Sequence, residues 1–360
     1  MGIKGFSAVF TASAISLKDL KNKTLAVDAS LEIYRAALGM ASVKGLSDAK
    51  GRTTLHISVI LSNLIAYASA HINTIWVFDH DGSKSPEPHN PLKSKELDER
   101  REKRAAAAKK IAKLRDLEDP PESNLFSDSD SDSDEPASLK DIAHEIEKQE
   151  KIAFVIQDWM ISDIKRILDA LNIKWVESPK GVEAECLAAR LTQVDVAEAN
   201  AVLSSDADAL LFGATALVKK NSKTKKYERF VLSEILEDKE ITQNQLIKMG
   251  IVLGSDMYKD KEKKLFFRIG PKSVLSKIKS GALDQKFEDP EVKCAIEHFE
   301  ATCEVGALEW HNSDASPYGD EKKALQLIDW LVGEKNFSRS RITKQMQKAV
   351  KIDAGWLVHT

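Results

Sequence analysis

Seven acidic residues stand where the chain could build a metal-binding site. Four follow short apolar runs that predict strands: Asp28, Asp79, Asp206 and Asp208. Three more are Glu183 and Glu185, at the start of a predicted helix, and Asp256, after Ile251–Ser255. In an open α/β sheet the working site lies beyond the carboxyl ends of the strands, so these acids would meet at one edge. Crowded carboxylates repel and raise each other's pKa, which a bound cation would relieve.

The chemistry of such a site follows from its ligands. Carboxylate oxygens without histidine or cysteine suit Mg²⁺ or Mn²⁺. Two such ions about 4 Å apart hydrolyse a phosphodiester by in-line attack of water. The alternative is that each acid has a local structural role: Asp28 as a helix cap, Asp206 and Asp208 as a capping pair, and the two glutamates as first-turn charges. For any one acid this role is the commoner one, but acids at several predicted strand ends favour a metal site.

The strands and helices that would position these acids indicate an α/β fold. Apolar runs at 25–28, 75–79, 174–177 and 201–206 predict buried parallel strands. Helical spacing of apolar residues lies between them, at 30–40, 55–69, 159–171 and 182–191. A basic hairpin is expected over Ala216–Leu232, and the chain from Ile241 onward is mainly helical. We therefore predict a mostly parallel central sheet flanked by helices.

Residues 84–151 interrupt this alternation and are predicted to be an insertion. A charged helix is expected over Lys93–Asp116, and residues 93–115 contain ten Lys or Arg against four Asp or Glu. The following run repeats Ser-Asp four times. A run of this composition buries too little apolar surface to fold, so we predict disorder over 119–137. A second helix is expected over Ser138–Gln149.

Composition restricts the classes of protein to which the chain could belong. Three cysteines, Cys186, Cys294 and Cys303, lack the spacing of a zinc site or a disulfide framework. No stretch approaches the roughly 20 apolar residues of a membrane helix, so we expect a soluble, intracellular protein without a membrane partner. The net charge of −3 hides strong segregation, because basic residues concentrate at 93–115, 219–229 and 339–351, whereas acid concentrates at Asp116–Glu135 and at strand ends. Local basic patches suffice for phosphate contacts.

Taken together in chain order, several short motifs resemble the flap endonucleases of the XPG type. The resemblance spans almost the whole chain, from Gly2 to about Lys351. The residues that carry it are Met1–Phe6, Val27–Ser30 with Tyr34, Val77–Asp79, Leu92–Ser94 with Arg100, Val182–Cys186, Ser205–Asp208, Leu253–Asp256 and Ile269–Lys272. The fold implied is a PIN-like 5′ nuclease core with a helical arch insertion and a helix-two-turn-helix region.

The resemblance assigns roles to individual residues. It implies that all seven acids together hold two Mg²⁺ ions, for which Mn²⁺ can substitute. It also implies that Lys93 and Arg100 reach the scissile phosphate from the first helix of the arch. Their spacing of seven residues is two helical turns, which places both on one face about 10 Å apart. The alternative is that they belong to a solvated charged helix, the interpretation we prefer for most other basic residues there.

Four residues are predicted to contact DNA. Gly2 resembles the N-terminal residue that packs near the DNA backbone, and Tyr34 the aromatic side chain that stacks on a base beside the cut. An ordinary amphipathic helix position explains Tyr34 equally well. Gly270 and Lys272 resemble the helix-two-turn-helix motif, whose backbone amides bind duplex phosphates without reading bases.

Departures from the family pattern leave three points open. Extra residues follow Asp79, so Asp81 competes with it as a ligand, and we prefer Asp79. The Ser-Asp run lengthens the arch. Arg268 stands where the family usually has glycine, which puts the monovalent-ion site of the family in doubt. The sequence to Thr360 contains no clear sliding-clamp peptide, so clamp binding is not expected.

The function predicted is cleavage of branched DNA with a 5′ single-stranded flap, in replication or repair, by a monomer in the nucleus or at a site of DNA replication. A viral origin would also fit. A 5′ exonuclease, a gap or bubble endonuclease, and a catalytically silent DNA-binding scaffold are the alternatives. The domains expected are a nuclease core over 1–256 with its 84–151 arch, a helical DNA-binding region over 257–351, and a tail over 352–360.

Overall fold

The computed structural model describes residues 3, 5–38, 47–80, 91–118, 139–221, 224, 226–255, 257–258, 263–301, 303–305 and 308–350. Several residues of the sequence predictions lie outside these ranges. They are Gly2, Asp81 and Asp256, the Ser-Asp run of 119–137 and the tail of 352–360.

A mixed sheet of eight strands is found among the described residues. Five neighbouring strands run parallel, and antiparallel strands extend the sheet at both edges. In chain order the strands are β1 (Ser13–Ile15), β2 (Thr24–Asp28), β3 (Asn73–Phe78), β4 (Trp175–Glu177), β5 (Ala201–Leu203), β6 (Ala216–Lys220), β7 (Tyr227–Val231) and β8 (Trp310–His311), and they lie in the order β1-β7-β6-β5-β2-β3-β4-β8. The predicted α/β class with a mostly parallel sheet is confirmed.

Helices account for most of the described chain outside the sheet. They are α1 (Phe6–Val9), α2 (Ala29–Leu38), α3 (Leu55–Ser69), α4 (Pro91–Glu118), α5 (Leu139–Ala153), α6 (Asp158–Ala170), α7 (Ala184–Arg190), α8 (Asp208–Leu211), α9 (Leu232–Lys239), α10 (Gln243–Leu253), α11 (Pro271–Lys279), α12 (Asp284–Phe287), α13 (Pro290–Glu300), α14 (Glu321–Gly333) and α15 (Arg339–Met346), with a 3₁₀ helix at Leu17–Leu20. In the described part of the chain, none of them combines the length and the apolar character of a membrane-spanning helix.

The central strands β2 and β3 are apolar along most of their length because both faces of the sheet are covered there. Leu25, Ala26 and Val27 of β2 are at most 1% exposed, and Val77 of β3 is fully buried. Continuous burial explains why these strands appear in the sequence as unbroken apolar runs rather than as alternating ones. The last residue of β2 is Asp28, so the acid emerges where the buried core ends.

The chain divides into two compact units. The larger one comprises residues 1–93 and 157–360, and the smaller one comprises Ser94–Ile156. Within the smaller unit, Lys110 donates to Glu145 at 2.6 Å and Arg115 donates to Glu150 at 2.8 Å. Both pairs are 35 residues apart in sequence, so α4 and α5 run in the same direction where they meet.

Element boundaries agree with the sequence predictions where periodicity is long. The predicted helix 55–69 is α3 with the same bounds, and the predicted hairpin is formed by β6 and β7. Strands β1 and β8 are not predicted. Strand β1 has three residues and β8 has two, and both are partly exposed, so neither appears in the sequence as an apolar run. Their pairing with β7 and β4 decides their conformation.

Candidate metal centre

The carboxyl ends of β2 and β3 bring Asp28 and Asp79 to the same edge of the sheet. In the parallel register Asp28 lies opposite Val77, two residues before Asp79. Asp79 accepts hydrogen bonds from Ser30 Oγ at 2.7 Å and from the Ala184 backbone N–H at 2.9 Å. It therefore joins the start of α2 to the start of α7.

Asp28 combines two of the roles considered from sequence. Its Oδ1 accepts the Leu31 backbone N–H at 3.0 Å, in the first turn of α2. Burial, with the charge of Asp79 as the second cause, raises the pKa of Asp28 to about 7. A carboxylate used only as a solvated cap would have no such shift. Asp28 thus supports the helix start and belongs to a crowded acidic site.

Glu183 and Glu185 enter this edge from the start of α7. Glu183 has extended backbone geometry immediately before the helix, and Glu185 lies in the first turn. Because Asp79 holds the amide of Ala184, the residue between them, both glutamates are fixed relative to the end of β3. The side chain of Glu183 is 30% exposed.

Asp206 and Asp208 follow β5 and are both buried. The Ser204 hydroxyl accepts the backbone N–H of Asp206 at 3.0 Å, and Asp206 Oδ1 accepts that of Asp208 at 3.2 Å. Asp206 thus closes a turn that leads into α8, but the N-cap residue of this helix is Ala207, without a side-chain cap, so the two acids are not the capping pair considered from sequence. Since β5 pairs with β2 in parallel, the turn emerges at the same edge as Asp28.

Glu185 is the carboxylate that connects these pairs. Burial raises its pKa well above the ordinary value, and the charges of Asp206, Asp208, Asp28 and Glu183 add to the effect in that order. Six of the seven predicted acids therefore share one electrostatic environment. Asp256, the seventh, lies outside the described residues.

Two basic side chains face Glu183. Lys93 Nζ donates to Glu183 Oε2 at 2.9 Å, which places one of the two predicted catalytic residues beside the acids. His298 Nε2, from α13, lies 3.4 Å from Glu183 Oε1. Burial lowers the pKa of His298, although the charge of Glu183 opposes the shift. Sequence reasoning missed His298, because a single histidine in an amphipathic helix far along the chain carries no motif.

The residues fit a hard divalent cation by chemistry, although the carboxylates are not closed around a common point. Among the described residues, no group of three acids, histidines or cysteines has the geometry of a metal cage. Glu183 Oε1 and Glu185 Oε1 are nevertheless buried and accept no hydrogen bond from any described residue. Buried carboxylate oxygens without donors are costly unless a cation binds them. Carboxylate oxygens are also the ligands that Mg²⁺ prefers.

The other predicted residues lie elsewhere. Arg100 belongs to the smaller unit, where it pairs with Glu96 on the same helix. Tyr34 is half-buried on α2. Gly270 precedes α11 with extended backbone angles, and Lys272 is exposed in the first turn of that helix. Gly2 is outside the described residues.

Sheet and site together define an α/β protein that gathers carboxylates at the carboxyl ends of parallel strands. Comparison with known families adds two matches: the XPG N-terminal domain over residues 1–107 and the XPG I-region over residues 172–256. The two regions contain all seven predicted acids, with Asp256 as the last residue of the second. The chain belongs to the XPG and flap endonuclease family of structure-specific nucleases.

Individual relatives are similar over nearly the full length. Flap endonuclease 1 of Methanobrevibacter smithii is 27% identical over 362 residues, which cover 98% of this chain and 97% of the relative. The structure of flap endonuclease-1 from Methanococcus jannaschii gives a TM-score of 0.67 at 22% identity, covering 99% of this chain and 100% of the other. The catalytic core of Rad2 in complex with DNA substrate gives 0.62 at 16% identity, covering 97% and 100%. At these identities the two structures establish the shared fold.

Proposed function

We propose that this protein is a Mg²⁺-dependent structure-specific nuclease that cuts branched DNA carrying a 5′ flap, near the junction of single and double strands. The observation that carries the proposal is the coupling of Glu185 to carboxylates from two other strand ends. If these acids served only as helix caps, burying several of them close together would be unfavourable, because their charges repel one another. The relatives named flap endonuclease support the choice of substrate.

In this proposal the acidic edge holds two divalent cations. Bound Mg²⁺ would supply the positive charge that activates a water and stabilises the leaving oxygen. The residues that bind and orient it are the carboxylates of the sheet edge, listed here in chain order: Asp28, Asp79, Glu183, Glu185, Asp206, Asp208 and, by resemblance, Asp256. The backbone bonds to Asp28 and Asp79 keep one lone pair of each occupied and so restrict how these side chains rotate.

Lys93 and Arg100 stabilise the charge that develops on the phosphate. Lys93 already lies at the acidic edge, where Glu183 holds its ammonium group. It would leave Glu183 when a phosphate and cations enter, because the ammonium repels a cation and attracts a phosphate oxygen. Arg100, seven residues later on α4, would contribute a second donor in the transition state.

Substrate binding would depend on backbone phosphates and on shape. Lys226 in the hairpin turn and Lys272 on α11 are exposed, as phosphate contacts require. Gly2, Tyr34 and Gly270 would contact DNA as the family does. Residues 1–256 would form the nuclease core with its arch, residues 257–351 the duplex-binding region, and one monomer would suffice for cleavage.

The test compares the wild-type protein with Asp208→Ala and with Asp314→Asn, a control at an exposed acid. Each is given 5′-labelled single-flap, nicked and blunt DNA with Mg²⁺ or EDTA, and product lengths are read on a denaturing gel. Flap-length products that vanish in EDTA and in Asp208→Ala, but not in Asp314→Asn, would support the proposal. Mononucleotide ladders from nicks would replace it by an exonuclease, and binding without cleavage by a scaffold.

A further inference from the structure

His298 is held rigidly beside the acidic edge. Its ring packs edge-on against Phe212 at 5.3 Å and against Phe299 at 5.2 Å between ring centroids. The side chain is 15% exposed. Packing by two aromatic rings fixes the imidazole plane, so the direction of Nε2 is determined by the fold rather than by solvent.

This Nε2 points at Glu183, the carboxylate that also binds Lys93. The two oxygens of Glu183 face different nitrogens: Oε2 accepts from Lys93 at 2.9 Å, and Oε1 lies 3.4 Å from His298. This contact is not a hydrogen bond in the present conformation, and Oε1 accepts none from the described part of the chain. His298 Nε2 is nevertheless near enough to donate to Oε1 if the carboxylate turns toward it.

We propose that His298 is a positioning residue that holds the Glu183 carboxylate in place when Lys93 turns to the substrate phosphate. The inference rests on the proposed function, in which Glu183 binds a cation. As the Lys93 ammonium moves toward a phosphate, its contact with Glu183 weakens. A ligand carboxylate that loses a hydrogen-bond donor gains freedom to rotate, and this freedom weakens metal binding.

The physical basis is the effect of hydrogen bonds behind metal ligands. Partners that orient ligating side chains typically contribute 10- to 100-fold to metal affinity. His298 is suited to this role because its ring packs on aromatic neighbours while one ring nitrogen can donate a hydrogen bond. The donating atom is Nε2, and the rest of the ring packs against both Phe212 and Phe299.

Two substitutions separate these two properties. His298→Phe keeps the aromatic packing but removes the nitrogen, whereas His298→Gln loses the ring but retains an amide donor near the Nε2 position. Phe287→Leu is the control, because this buried aromatic residue packs against Phe266 rather than against His298. Circular dichroism first establishes that each variant is folded. Mn²⁺ is then titrated into the DNA-free protein, and free Mn²⁺ is measured by its electron paramagnetic resonance signal.

The expected result is that His298→Phe weakens Mn²⁺ binding roughly 10-fold, at the lower end of the usual range for such partners. His298→Gln should stay within about 3-fold of wild type, and Phe287→Leu should bind as wild type does. In cleavage assays the Mg²⁺ concentration for half-maximal rate should rise in His298→Phe, while the rate at saturating Mg²⁺ changes little.

Three results would overturn the proposal, and they differ in whether they also contradict the proposed function. Wild-type protein that cleaves DNA and binds Mn²⁺, with His298→Phe binding equally well, would remove only the role of His298. Nitrogen coupling from His298 in pulsed spectra of bound Mn²⁺ would make it a direct ligand instead of a positioning residue. Wild-type protein that binds no Mn²⁺ would remove the proposed function together with this inference.

Discussion

Lys93 Nζ lies 2.9 Å from Glu183 Oε2, so a cationic side chain neutralises part of the acidic edge. Both side chains are partly buried, at 20% and 30% exposure, where an ion pair is less screened than at the surface. Lys93 thus offsets, in part, the repulsion that a divalent cation would relieve. Loss of Lys93 should therefore affect both stability and cleavage.

Lys93→Met should lower the thermal stability of metal-free protein, by about 1 kcal/mol, because Glu183 loses its counter-charge. Saturating Mg²⁺ should close the difference, since the cations then neutralise the same carboxylates. Cleavage should nevertheless fall by roughly 100-fold or more, because the phosphate loses a donor. Thermal melts with and without Mg²⁺ and single-turnover cleavage measure the two effects. Lys103→Met, an exposed lysine of α4, should change neither, and equal losses in both variants would contradict the prediction.

Asp28→Asn should stabilise the metal-free protein at pH 8. The folded-state pKa of Asp28 is raised to about 7 from an ordinary value of 3.8, mainly by burial and then by Asp79. Between these values the folded wild type keeps a proton that the unfolded chain releases, so the wild type loses stability as pH rises through this window. The asparagine has no charge to bury, and its advantage should reach on the order of 2 kcal/mol at pH 8 and vanish near pH 4.

Melting temperatures between pH 4 and pH 8 in EDTA measure this dependence. Asp19→Asn is the control, because hydrogen bonds from Ser16 lower the pKa of that exposed carboxyl and the sign is opposite. Mg²⁺ should raise the melting temperature of wild type but not of Asp28→Asn. If the asparagine variant were less stable than wild type at pH 8, the charge of Asp28 would not be destabilising the folded protein.

Lys335→Met should destabilise the fold strongly. Lys335 is 3% exposed, and its Nζ donates to Asp163 Oδ2 at 2.6 Å. Asp163 Oδ2 also lies 3.4 Å from Nε2 of the fully buried His56. Removing the lysine leaves Asp163 without its counter-charge, which typically costs about 3–5 kcal/mol. Urea denaturation measures the change.

Two further variants test that interpretation of Lys335. The exposed Lys322→Met should stay within about 0.5 kcal/mol of wild type. The double variant Lys335→Met/Asp163→Asn should be more stable than Lys335→Met alone, because no unpaired charge remains buried. Equal stability of the single and double variants would attribute the loss to packing around Trp330, over which the Lys335 ammonium also lies.

Gly5→Ala should cost more stability than Gly51→Ala. Both glycines have left-handed backbone angles, with φ of 73° and 74°, so alanine is strained at either position. A Cβ at Gly5 would also overlap the ring of Pro271 at the start of α11, whereas no described atom lies within 4 Å of a Cβ at Gly51. The difference between the variants in denaturant unfolding should be about 1–3 kcal/mol, the usual cost of overpacking. Equal costs would mean that α1 and α11 separate easily.

Much of the fold could be predicted from local sequence. The apolar runs of β2 and β3 and the periodicity of α3 are long enough to state strand or helix without tertiary information. Strands β1 and β8 are too short and too exposed for that. Arg268 shows the same limit, since its left-handed φ of 63° is adopted at a position where the family usually has glycine. At such positions the contacts with neighbouring segments decide the backbone conformation, rather than the preference of the local sequence.

The sequence by itself predicted where the acids gather, because acids that end apolar strands emerge at the carboxyl edge of a parallel sheet. It also determined that Lys93 would come from a charged helix outside the sheet. Only the tertiary structure decided that Glu185 is coupled to Asp28, Asp206 and Asp208, and that His298 faces Glu183 from α13. Strand ends follow from short-range periodicity, whereas a contact across more than a hundred residues depends on how the helices pack, which no local pattern records.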